Sequence, residues 1–100
     1  SRELDDLNPN TYWINGAQHL ANGHYDEARD HFANARSAAR NDFFAAFHSA
    51  WIRLTDLVES ATARNEADFL ECVEALRRDE NEEADAKADQ LMEARRAFAS

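Results

Sequence analysis

One hundred residues with only two glycines, one proline and a formal charge of −9 describe one small acidic domain. Val, Ile and Thr are scarce and no apolar–polar alternation is sustained, which argues against a β fold. The charge disfavours direct binding to nucleic acid or anionic lipid, and a basic protein surface is its natural complement. No apolar run reaches the ~18 residues that cross a bilayer, and no signal-peptide pattern is present. The single cysteine, Cys72, cannot form an internal disulfide and points to a reducing compartment, read here as the cytoplasm.

In chain order, residues 1–8 read as a polar lead-in and 9–99 as a single helical domain. Asn8 and Pro9 form a helix start, with Asn as cap and Pro in the first turn. Helix one is expected to run to Ala21, where Gly23 supplies a left-handed stop. Helix two follows from Tyr25 to Arg40, with Ala28, Phe32 and Ala35 laying a small–large–small stripe along one face. Asn41-Asp42 breaks it and caps helix three, Phe43 to Ala63, whose Phe44, Phe47, Trp51, Leu54 and Val58 make the strongest apolar stripe in the chain. Asn65 with Asp68 resembles a capping box and opens helix four, with Phe69, Cys72, Val73 and Leu76 inward. Asn81 caps helix five, which reaches Phe98 and carries Ala84, Ala88, Leu91 and Phe98 on one face. The expected fold is all-α with about five helices: a hairpin over 9–42, a hairpin over 43–79 and a terminal helix over 81–98.

The string Gly23, Tyr25, Ala28, Phe32, Ala35, spaced G-x-Y-x-x-A-x-x-x-F-x-x-A, resembles the second helix of a tetratricopeptide repeat. A shift of 34 residues sets Trp13 on Phe47, Gly16 on Ala50 and Leu20 on Leu54. The likeness covers about residues 12–35 and thins after Ala63. Asn15 stands where the family prefers leucine, Asn65 where it prefers alanine, and no proline closes either unit. Two arrangements follow: a degenerate two-repeat module with a capping helix, or a small helical bundle that reuses the same packing rule. The resemblance implies a concave groove lined by Trp13, Ala17 and Leu20 beside Phe44, Phe47, Trp51 and Leu54, which would bind a peptide. The partner-groove residues are then Trp13, Phe47 and Trp51, unless helix five or a second copy of the chain fills the space.

Chemistry-bearing patterns are sparse. His24, His31 and Glu27 could approach a zinc ion, but imidazoles on a polar helix are usually solvated or capping, so no metal and no cofactor are expected. His48 reads as a boundary residue and Cys72 as a small core filler. Ser37, Ser49 and Ser60 lack a glycine elbow and a partner base, and both glycines are taken by helix geometry, so no catalytic residue is assigned. Charge is more informative. Residues 1–42 carry −3, residues 43–64 carry 0, and residues 65–100 carry −6. Asp79, Glu80, Glu82, Glu83 and Asp85 crowd one turn, and Asp89 and Glu93 continue from Asp85 at helical steps of about 6 Å, comparable to phosphate spacing. This ridge is either a solvated face or the surface that enters a basic groove. Small size, high negative charge and no catalytic motif resemble, in type, the acidic phage inhibitors called anti-CRISPR proteins. That resemblance implies a nucleic-acid mimic docking on a nucleic-acid-binding protein.

Overall fold

The computed structural model describes residues 9–98, with side-chain environments from Thr11 onward. The expected lead-in at 1–8, with its Asn8 cap, lies outside the described residues. Among those described, five helices follow one another: α1 Pro9–Ala21, α2 Tyr25–Ser37, α3 Asp42–Glu59, α4 Ala63–Arg77 and α5 Ala84–Phe98, with no strand. Each helix packs on the next in sequence, and α5 also returns to α3. The connections are short, so successive helices run antiparallel. The α1–α2 and α3–α4 turns therefore share one end of the molecule, and the α2–α3 and α4–α5 turns the other. The radius of gyration is 12.9 Å and the thinnest dimension 18 Å, which leaves room for two helix layers. Trp13 of α1 meets Phe47 and Trp51 of α3, and α3 meets α5, so these three stand side by side with α2 and α4 behind.

The small–large–small stripe of α2 sets the first contact. Ala28, Phe32 and Ala35 are fully buried, and the Phe32 ring lies so close to Gly16 of α1 that a Cβ there would sit 2.7 Å from it. Only glycine permits this approach. At the other end of α1, Gly23 adopts φ +79°. His24 N–H donates to the His19 carbonyl (2.8 Å) and Gly23 N–H to that of Leu20 (3.1 Å). These are the paired bonds of a Schellman stop, which reverse the chain in three residues.

The core is one cluster running from Leu20 through Phe32, Phe47, Trp51 and Leu54 to Phe69, Leu76 and Leu91. Thr55 is buried at its centre, its hydroxyl donating to the Trp51 carbonyl at 2.9 Å. Helix five folds back against α3: Leu91 is buried, and Met92 and Phe98 pack on the cluster.

Helix ends differ from expectation in four places. α2 stops at Ser37 rather than Arg40. Asn41 must be extended (φ −152°, ψ 173°) for its side chain to accept from Phe44 N–H, so the chain leaves the helix earlier. α3 stops at Glu59 rather than Ala63, because Ser60 turns extended (φ −140°, ψ 101°) and Thr62 already caps the next helix. α4 opens at Ala63 on a Thr62 cap, not on Asn65, because the Thr62 hydroxyl takes the Asn65 N–H at 3.1 Å. This leaves the Asn65 amide to bind the carbonyls of Ser60 (2.8 Å) and Asp56 (3.3 Å), so it ties down the turn after α3. α5 begins at Ala84; Asn81 instead accepts from Glu83 N–H inside the preceding turn.

Candidate functional surfaces

The acidic ridge divides into two sets. Along α5, Ala84, Ala88 and Leu91 face the core and Asp85, Asp89 and Glu93 face outward. Several ridge acids already hold a cation. Arg77 reaches across from α4 to Asp89 at 2.8 Å and Asp85 at 3.8 Å. Arg96 lies 3.6 Å from Glu93, and Lys87 lies 4.0 Å from Glu83. Asp79, Glu80 and Glu82, all in the exposed α4–α5 turn, have no cation within ion-pair distance among the described residues. Asp79 accepts from Asn81 N–H at 2.9 Å, which shapes the turn but leaves its charge uncompensated. The uncompensated negative charge of the ridge therefore lies at one end of the bundle, not along α5.

The predicted aromatic groove is mostly closed. Phe47 and Trp51 are only 4% and 3% exposed, and Trp13 is half-buried against them, with ring centroids at 6.5 Å and 5.7 Å. What stays open is a cleft of about 120 Å³ lined by Trp13, Phe44, Phe47, His48, Lys87 and Gln90. The Lys87 ammonium lies over its wall, 5.1 Å from the Phe47 ring centre and 6.0 Å from that of Phe44. His48 is 4% exposed, so burial, with a smaller effect of Lys87, lowers its pKa to about 4 and keeps the imidazole neutral at pH 7. The Nε1 atoms of Trp13 and Trp51 are buried with no hydrogen-bond partner among the described residues.

Two groupings escaped the sequence reading. Arg29 of α2 donates from Nε to Asp56 of α3 at 2.8 Å, from Nη1 to Asp26 at 3.1 Å, and from Nη2 to Glu59. Burial alone would lower the Arg29 pKa, but the hydrogen bonds to Glu59 and Asp56 outweigh it and the net shift is upward. No spacing rule links residues 27 and 30 positions apart, so only the fold reveals this clamp. The second grouping is histidine. His31 stacks on His19 at 5.0 Å, not on His24 with Glu27, and His19 also meets His24. Among the described residues, no three His, Cys, Asp or Glu side chains are grouped so as to hold a metal ion. Cys72 is half-buried, and burial pushes its thiol up, away from the reactive thiolate form.

Comparison with family models, curated proteins and solved structures found no match to this chain. No helix among the described residues is long and apolar enough to cross a membrane.

Proposed function

We propose that this protein is a non-catalytic binding protein of the cytoplasm. In this reading it is an acidic inhibitor or adaptor that docks on a basic, nucleic-acid-binding surface of another protein. The observation that carries this reading is the exposed α4–α5 turn, where Asp79, Glu80 and Glu82 lie without an ion-pair partner among the described residues, in a chain of net charge −9. Carboxylates held this way attract a basic partner without first having to break an internal ion pair. Asp85, Asp89 and Glu93 extend the same field along α5, but Arg77 and Arg96 hold them, so they serve as the flank of the surface. The type-level likeness to anti-CRISPR inhibitors suits this reading, with carboxylates occupying phosphate positions in a basic groove.

The test uses a basic nucleic-acid-binding protein captured from a lysate and then purified. Binding should weaken steeply between low and high salt and fall in the Asp79→Asn, Glu80→Gln, Glu82→Gln triple variant. Affinity unchanged by those three substitutions would sink the reading.

The cleft at Trp13, Phe44, Phe47 and His48 favours a second reading, a tetratricopeptide-like scaffold that binds a peptide at its apolar face. Its binding would be indifferent to salt. It would be lost in Phe44→Ala, a substitution at a half-buried position where the fold should survive.

A further inference from the structure

The tight turn between α1 and α2, at the opposite end of the bundle from the acidic turn, brings together three imidazoles. His19 occupies the last turn of α1, His24 is the first residue after Gly23, and His31 lies two turns into α2. The Schellman stop places the residue after glycine over the residue five positions before it, a contact usually filled by two apolar side chains. Here both are histidine. His19 Nδ1 and His24 Nδ1 are 3.4 Å apart at an exposed position. Two nitrogens bound at 2.0–2.1 Å to one tetrahedral ion stand about 3.3 Å apart, so the observed separation is that of a chelating pair. As a hydrogen bond between neutral rings the same distance is long and weak.

The geometry points to a two-histidine site for a borderline divalent cation of the zinc, nickel and copper class, with His19 and His24 as ligands through Nδ1. The backbone bonds of the turn fix the main chain that carries both ligands before any ion arrives: Gly23 at φ +79° and the 2.8 Å bond from His24 N–H to the His19 carbonyl. His31 acts as a positioning residue. Its ring stacks on that of His19 at 5.0 Å and nearly parallel (9°), so it backs the first ligand and limits its rotation. The remaining coordination positions belong to water or to a donor from another molecule. Hard cations, which prefer oxygen, are excluded by the donor set.

The probe is Zn²⁺ titrated into the full chain, followed by calorimetry and by the imidazole resonances, with Mg²⁺ as the hard-cation control. One Zn²⁺ should bind, moving the His19 and His24 signals together and leaving the buried His48 still. His24→Ala is the decisive variant, because His24 is exposed and its side chain makes no capping bond, so the fold persists. It should weaken Zn²⁺ at least ~10-fold, and His31→Phe, which keeps the stack, should change it much less. Equal Zn²⁺ binding by His24→Ala would overturn the assignment. So would shifts confined to the carboxylates of residues 79–83, or no binding at all. The partner-binding test of the acidic turn uses none of these residues, so the two readings fail separately.

Discussion

The first and last helix pairs of this molecule follow one packing rule and end in opposite kinds of turn. Between α1 and α2 the seam is Gly16 against Phe32, and the turn is closed by backbone bonds around a left-handed glycine. In α4 and α5 the buried residues include Val73 and Leu76, and Ala84, Ala88 and Leu91, and the longer turn between the two helices is shaped by the side chains of Asp79 and Asn81. A turn held by its backbone can carry any side chains, and here it presents imidazoles. A turn held by side-chain oxygens must be rich in Asp and Asn, and its acidity comes partly from that structural need. The contrast separates an acid that builds the turn (Asp79) from two whose side chains make no hydrogen bond or ion pair among the described residues (Glu80 and Glu82).

Breaking the first seam should have the largest effect. Phe32→Ala removes a fully buried ring from between two helices and should cost about 3–5 kcal/mol, read by chemical denaturation. Next comes pH, acting at His48, buried on α3. The folded pKa of about 4 lies below the ordinary histidine value, so between about pH 6.5 and 4 the unfolded chain binds a proton that the folded chain refuses. Stability from this group is therefore complete above about pH 6.5 and lost as pH falls toward 4, by about 3 kcal/mol at most. His48→Leu should flatten that part of the stability–pH profile. Gly16→Ala probes the same α1–α2 seam from its other side: alanine favours the helix by about 1 kcal/mol. The clash with the immobile Phe32 ring should outweigh this, for a net loss of about 1–3 kcal/mol. At the last turn the effect should be smallest. Glu80→Gln with Glu82→Gln should change stability by less than about 0.5 kcal/mol, because neither carboxylate is held by an internal cation among the described residues. A larger loss would make these acids structural.

The helices themselves were legible in the sequence because burial follows spacing. Ala28, Phe32 and Ala35, and likewise Phe47, Trp51 and Leu54, face inward as their periodicity predicts. The opening of α4 was not, since Thr62 and Asn65 are both competent caps. The choice depended on the carbonyls of Asp56 and Ser60, which only the folded turn brings within reach of the Asn65 amide. The ridge acids were legible as a cluster, but their division was not. Arg77 lies eight and twelve positions before Asp85 and Asp89, and no local rule pairs residues across a turn of that length. The histidine pair is only half legible: Gly23 predicts the stop, but the contact of His19 with His24 follows from the stop's 6→1 bonding pattern and not from helical spacing.

The serial packing of α1 to α5, each helix against its neighbour in the chain, also has a kinetic consequence. Loops close over short distances and little chain entropy is lost before contacts form, so folding should finish on the order of microseconds to milliseconds. A chain that folds this quickly spends little time with its aromatic stripe uncovered, so its large negative charge is not needed to guard a slow intermediate against aggregation.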